Sequence, residues 1–261
     1  MGGSGSGRWA RFHERFIVEV RYLPAGGRLG LLVTAAVLVV VGVAGFLAVL
    51  DSVRESDDLS AIDAPVEAWL DSGRDQWLTT FMIVLAYVFG PVAMPIVILV
   101  TTVAWGLLAK HAWRPLLLAG GMILGVIIVQ VLAPIIGRDR PPAEDMVLEF
   151  DPTSSFPSGH VMGVADFLFI GTYLVFSRHR RPLITALAFA AATFVVLLTA
   201  ACRIYLGYHW ATDALASILL SLVVLGIVIA VDTFRTVRIG SPEQVAEADR
   251  RPEAWGRDGD G

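Results

Sequence analysis

Residues 115–137 read PLLLAGGMILGVIIVQVLAPIIG, and the chain then turns at once to charge, with GRDRPP at 137–142. A run of this length without an ionisable side chain matches the roughly 20 residues that an α-helix needs to cross the hydrocarbon core of a bilayer. In that solvent every backbone N–H and C=O must be satisfied within the segment, so the run is expected as a helix. Working outward, comparable runs lie at 29–50, 78–109, 161–177, 183–202 and 210–231. The run at 78–109 exceeds one span but cannot make two spans and a turn, so it is expected as one tilted helix bent near Pro91 and Pro95. The fold class that follows is all-α, a polytopic membrane protein of six transmembrane helices.

Composition agrees. The 261 residues are 56% hydrophobic and 17% charged, with a mean hydropathy of +0.68; soluble domains usually carry about a quarter charged residues. The basic residues sit in short clusters, which disfavours nucleic acid as a partner. Cys202 is the sole cysteine, so no intrachain disulfide can form. Three regions are expected: a basic tail at 1–28, a six-span domain at 29–232, and a second tail at 233–261 whose Gly, Pro and charge content predicts disorder. In the first tail Trp9, Phe12, Phe16, Val20 and Leu23 recur at helical spacing between arginines. That fits either a helix lying in the membrane interface or simply the basic flank of the first span. Gly2 and Ser6 formally match a myristoylation pattern, within a stretch of flexible-linker composition. The first apolar run starts late and is long enough to span, which argues against a cleaved signal peptide, and no internal repeat is evident.

Charge orients the spans. Arg8, Arg11, Arg15, Arg21 and Arg28, then Lys110 and Arg114, then Arg178, Arg180 and Arg181, then Arg235 and Arg238 all fall on one side of a six-span layout. Arg54, Arg74, Arg138, Arg140 and Arg203 fall on the other. The positive-inside rule puts both termini in the cytoplasm. The expected location is therefore the cell membrane, with the opposite loops on the extracytoplasmic side.

Those outer loops carry the chemistry. Arg138 and Arg140 precede Pro141; Pro157-Ser158-Gly159-His160 opens the fourth span; Arg203, His209 and Asp213 flank the start of the sixth. Ser158 stands at a helix N-cap position, and Gly159 lets backbone come close at a helix start, which is an anion site. Arg138, Arg140 and Arg203 supply planar donors suited to phosphate oxygens. His209 and Asp213, four residues apart, share one helical face. Asp213 can hold the imidazole in one tautomer, leaving the other nitrogen to attack, while His160 protonates the leaving oxygen. Such a set needs neither metal nor cofactor. One arginine alone at a span end only snorkels, and one interfacial histidine is usually just solvated; the combination on one face points to chemistry on a phosphate.

These three segments resemble the signature of the type 2 phosphatidic acid phosphatase (PAP2) superfamily of integral-membrane lipid phosphatases. The family pattern is Lys-x6-Arg-Pro, Pro-Ser-Gly-His and Ser-Arg-x5-His-x3-Asp. Residues 133–213 carry it, and the stretch 62–77 also looks like the one preceding the second span in bacterial members. The resemblance implies a phosphohistidine on His209, with Asp213 as its partner, His160 as general acid, and Arg140, Arg203, Ser158 and Gly159 around the phosphate. Two positions depart. Ala133 stands where the family has lysine, a loss for which Arg138 is expected to compensate, and Cys202 replaces the serine before Arg203.

The expected activity is hydrolysis of a lipid phosphate or diphosphate, without metal. A polyprenyl diphosphate is favoured by analogy; phosphatidylglycerophosphate, phosphatidate and a prenyl phosphosugar remain open. A phosphotransferase and a non-catalytic phospholipid-binding protein are the alternatives. Asp166, about 9 Å below His160 at the helical rise, is expected to pair with another span. His13, His111 and His179 are expected as solvated surface.

Overall fold

The computed structural model describes residues 21–109, 112–177, 181–241 and 243–245. The possible interfacial helix at 9–20, the residues His13, His111 and His179, and the end of the chain from 246 lie outside them.

A short strand β1 (Arg21–Leu23) leads into α1 (Ala25–Glu55), the first span. A 3-10 turn (Asp58–Ile62) and the short helix α2 (Asp63–Ser72) follow. Then come α3 (Gln76–Val88), α4 (Ala93–Ala109), α5 (Trp113–Ile136), α6 (Gly159–Phe176), α7 (Pro182–Tyr205), α8 (Ala211–Thr236) and the strand β2 (Val237–Ile239). Five of these helices are individually long and apolar enough to cross a membrane, and α3 with α4 makes a sixth candidate bent by 49°. The protein is therefore a multi-pass, essentially all-helical membrane protein.

The second span departs from the expected continuous helix: it is broken. Gly90 and Pro91 fall in the gap between Val88 and Ala93, and the hydrogen-bond ladder closes on either side of it. Phe89 N–H donates to Leu85 O at 3.0 Å, and Met94 N–H donates back to Gly90 O at 3.0 Å. Proline has no N–H to continue the ladder and pushes the residue before it out of the helical region. Pro95 is accommodated in the first turn of α4, where its missing N–H costs nothing.

One further boundary differs from expectation. The sixth span continues to Thr236, past 232, and β2 then pairs in parallel with β1, Arg21 opposite Val237 and Leu23 opposite Ile239. The two ends of the described chain thus meet at one end of the bundle. Between spans, backbone proximity does the packing, as expected where lipid offers no hydrophobic gain from helix association. A Cβ on Gly42 would lie 2.6 Å from Leu219 O, and one on Gly226 would lie 2.7 Å from Ala35 O, so α1 and α8 touch backbone to backbone. α6 is the central helix, with Val161, Val164, Ala165, Ile170 and Leu174 all fully enclosed.

Asp166 is buried on α6, within reach of the Ser221 hydroxyl on α8. Its carboxyl also packs on the bare backbone of α5, where a Cβ on Gly125 would come within 1.9 Å of Oδ2.

Candidate active site

α8 begins at the end of the bundle opposite the paired strands, and the segments that carried the motifs gather there. α5 stops at Gly137, whose left-handed φ of 65° reverses the chain. Residues 138–158 then cross the ends of α6, α7 and α8, held by their own backbone. Ser155 N–H donates to Arg138 O at 2.9 Å, Ser155 Oγ donates to Asp139 O at 3.0 Å, and the Trp210 indole donates to the same Asp139 carbonyl at 3.0 Å. Lower in the loop, Val147 N–H bonds Leu206 O at 3.1 Å, and Gly207 (φ 76°) lies so close to Asp145 that a Cβ there would fall 2.3 Å from its carbonyl oxygen. From the start of the second span Arg74 clamps both sides, donating to Tyr205 O at 2.9 Å and to Asp145 O at 3.0 Å.

His209 closes the short connection before α8 and is 3% exposed. Its Nδ1 is 2.8 Å from the Ser155 carbonyl oxygen. A carbonyl can only accept, so this contact places the proton on Nδ1 and leaves Nε2 as an acceptor. Its lone pair accepts from Arg140 Nη1 at 3.3 Å. Burial holds the imidazole below its ordinary pKa, with the neighbouring Arg203 and Arg140 acting in the same direction and Asp213 opposing them. The ring is therefore neutral near pH 7.

The expected His209–Asp213 partnership is present in looser form, Nδ1 to Oδ2 being 3.4 Å. The stronger hold on Nδ1 comes from the Ser155 carbonyl. Asp213 stands at the third position of α8 and caps it, accepting the Trp210 N–H at 2.9 Å. Its other oxygen takes Arg138 Nη1 in a short ion pair.

Arg140 and Arg203 point into the same space by different means. Arg140 is fully engaged: Nε donates to Thr153 O at 2.9 Å, Nη2 pairs with Asp151 at 2.8 Å, and Nη1 donates to Tyr208 O at 2.6 Å. Arg203, in the last turn of α7 and 5% exposed, lies 4.5 Å over the ring of Tyr208. Its Nε is buried with no hydrogen-bond partner among the described residues. Ser158 is fully buried as the N-cap of α6, its Oγ facing Val161 N–H at 3.5 Å and its carbonyl accepting Ser217 Oγ at 3.0 Å. Gly159 is exposed at the helix start beside it, and half-buried His160 lies within electrostatic reach of Arg203, His209 and Arg140. Arg140, Arg203 and His160 thus gather at the ring of His209, Asp213 sits behind it, and Ser158 and Gly159 open the helix that carries His160.

Arg138 is the correction. It was expected among the phosphate-binding groups and as a substitute for the lysine missing at Ala133. Both its terminal nitrogens are instead spent on carboxylates and a hydroxyl. Nη2 pairs with Asp63 at 2.6 Å, while Nη1 bonds Asp213 and, at 2.8 Å, Thr212 Oγ1. Two buried carboxylates hold a guanidinium far more firmly than a transient ligand would. Cys202 likewise turns away, its thiol donating to Met82 O on α3 at 3.2 Å.

Asp63, Asp151, Thr153 and Ser155 were not singled out from the sequence. Asp63 lies in the stretch that resembled family members ahead of the second span, but nothing in its local pattern marks it as buried. Among the described residues no group of three or more His, Cys, Asp or Glu side chains is placed to hold a metal; the donors that converge here are cationic and suit an anion.

A membrane-embedded helical bundle with buried arginines and histidines gathered at one end is the class this geometry defines. Residues 114–236 match the family described as the PAP2 superfamily, within a chain whose apolar helices form a multi-pass membrane bundle. Among solved structures, the first transmembrane PAP2-type phosphatidylglycerolphosphate phosphatase from Bacillus subtilis has the same fold, with a TM-score of 0.64 at 24% identity over 74% of this chain and 96% of that one. LpxE of Aquifex aeolicus aligns more loosely, with a TM-score of 0.45 at 20% identity over 65% and 94% of the two chains. No curated protein matches the chain.

Proposed function

We propose that this protein is a lipid phosphatase that works through a phosphohistidine on His209, on the extracytoplasmic side of the membrane. The observation that carries the proposal is the Ser155 carbonyl at 2.8 Å from Nδ1, which commits the neutral ring to presenting Nε2 toward Arg140. A phosphate bound between Arg140, Arg203 and the amides that open α6 has its phosphorus next to that lone pair.

Nε2 attacks phosphorus as the bond to the lipid oxygen breaks, and His160, which the bound phosphate anion lets hold a proton beside Arg203 and Arg140, gives that proton to the leaving oxygen. Water then attacks the phosphohistidine, the P–N bond breaks, and neutral His160 takes the proton of the water. Inorganic phosphate leaves, and both histidines return to their starting forms. The imidazolium character that develops on His209 is stabilised by Asp213 behind the ring. No step calls for a metal.

The arginine-poor side of the bundle carries the pocket, which by the positive-inside rule faces away from the cytoplasm. The substrate class is a lipid phosphate whose headgroup enters from the outer leaflet. A polyprenyl diphosphate is the favoured member, and phosphatidylglycerophosphate, phosphatidate and a prenyl phosphosugar complete the panel to be assayed.

The test is phosphate release by the purified protein from that panel in EDTA. Activity that survives chelation and disappears in His209→Ala is the expected result. Dependence on Mg²⁺ would reject the metal-free route, full activity in His209→Ala would reject the nucleophile, and transfer of phosphate to an alcohol in preference to water would make the protein a phosphotransferase.

A further inference from the structure

We propose that Asp63 is a positioning residue for the nucleophilic histidine, acting through Arg138 and Asp213; this rests on the reading of His209 as the nucleophile.

Asp63 belongs to α2, outside the segment that matches the superfamily and about 150 positions from the histidine along the chain. Its carboxylate is 4% exposed and fully used. Oδ1 accepts the Thr212 N–H at 2.9 Å, and Oδ2 accepts both Thr212 Oγ1 and Arg138 Nη2 at 2.6 Å. Arg138 spans from there to Asp213, which in turn stands 3.4 Å from His209 Nδ1. The result is a continuous line of contacts, Asp63, Arg138, Asp213, His209, drawn from three separate stretches of chain.

Burying a carboxylate is costly unless it is paired, and burying two around one guanidinium fixes all three. Arg138 has two consequences for the histidine. It keeps Asp213 turned so that one oxygen caps α8 while remaining behind the ring. It also draws Asp213 partly away from Nδ1, which leaves the Ser155 carbonyl as the acceptor that sets the tautomer. Asp63 is what holds Arg138 in that position. Without it the guanidinium keeps a single carboxylate, sits next to the phosphate pocket, and is free to swing toward the bound anion.

The charged and titratable groups around His209 are Asp213 on α8, Arg203 on α7, His160 on α6, Arg140 and Asp151 in the preceding loop, and Arg138 behind Asp213. Replacing Asp63 by Asn removes a negative charge behind this set and leaves Arg138 with Asp213 alone, so protonation of His209 becomes harder.

Two measurements decide the matter. In detergent, kcat and KM are compared for wild type, Asp63→Asn, Arg138→Gln and the double variant. If Asp63 acts through Arg138, Asp63→Asn lowers kcat by roughly ten- to a hundredfold with KM within about twofold. The double variant then falls no further than the worse single one. In parallel the His209 imidazole is titrated by NMR on 15N-histidine-labelled protein, its signal assigned by loss in His209→Ala. Its midpoint moves to lower pH in Asp63→Asn and returns in Asp63→Glu, which restores the charge.

Losses that multiply in the double variant, or a His209 midpoint unmoved in folded Asp63→Asn, overturn the proposal. If wild type releases no phosphate from any lipid, the enzymatic reading fails while the titration still decides the relay. If Asp63→Asn does not fold, Thr212→Val removes the hydroxyl shared by Asp63 and Arg138, and the same downward shift, smaller, is expected; no shift there counts against the relay.

Discussion

Arg140 cannot receive a phosphate without giving something up, and Asp151→Asn measures what that is. The Asp151 carboxylate stands 2.8 Å from Arg140 Nη2, with side-chain exposures of 34% for Asp151 and 9% for Arg140. An incoming phosphate competes for the same guanidinium. Asn keeps the acceptor oxygen that takes Thr153 N–H at 3.0 Å and Thr153 Oγ1 at 2.7 Å, so the loop retains its turn while the charge is lost. A partly exposed ion pair of this kind is worth about 1 kcal/mol after solvent screening. Releasing it is expected to tighten binding about fivefold. The assay is steady-state hydrolysis of a short-chain lipid phosphate, together with inhibition by inorganic phosphate. KM and the inhibition constant should fall by the same factor while kcat stays nearly constant. The effect should also be flat across neutral pH. Burial would raise the Asp151 pKa, but the two bonds from Thr153 and the charges of Arg140 and His209 outweigh it and hold the carboxyl below its ordinary value. An unchanged or higher KM in Asp151→Asn would show that the carboxylate does not compete for the phosphate-binding arginine.

Other outcomes follow from the same geometry. Because burial lowers the His209 pKa, the nucleophile stays neutral below the usual imidazole value of about 6.5, so the acid limb of kcat/KM should lie below that pH; a limb above it would contradict the buried, neutral ring. The sign for stability is the same: the unfolded imidazole binds its proton first, so stability is present above about 6.5 and declines as pH falls toward the lowered native value, as thermal unfolding across pH would show. Arg203→Met removes a buried guanidinium whose Nε has no hydrogen bond, so a charge-assisted contact of about 1.5–3 kcal/mol is lost and kcat/KM should drop roughly ten- to a hundredfold. Gly207→Ala forces a Cβ to 2.3 Å from Asp145 O at a φ of 76°, and should lower stability by about 1–3 kcal/mol, read as a reduced midpoint of thermal unfolding in detergent. Since Arg138 is committed elsewhere, Ala133→Lys should raise kcat/KM by up to about tenfold; no gain would mean that the side chain at 133 does not reach the phosphate.

Much of this was legible in the chain alone, because local physics leaves few choices. An apolar run such as 115–137 has one form in a bilayer, and Trp113–Ile136 takes it. The N-cap at Ser158 and the i, i+4 placement of His209 and Asp213 are consequences of helix geometry, which needs no knowledge of the rest of the fold. The second span shows where that reasoning thins: Pro91 marked a bend, but whether the helix bends or breaks depends on what packs against it.

Decisions made across the fold were not visible. Arg138 and Arg140 are two residues apart and looked equivalent, yet one is buried between Asp63 and Asp213 while the other faces the pocket. Ser155 contributes through its carbonyl, an atom every residue possesses, so no side-chain pattern could announce it. The chain by itself determined the spans, their number, and which residues would gather at one end of the bundle, since each follows from hydropathy, charge asymmetry or spacing within a few turns. Only the tertiary structure decided which guanidinium is locked between two buried carboxylates and which atom sets the histidine tautomer. Those outcomes depend on distances between segments far apart in sequence, and buried charge is committed to whichever partner lies nearest in space.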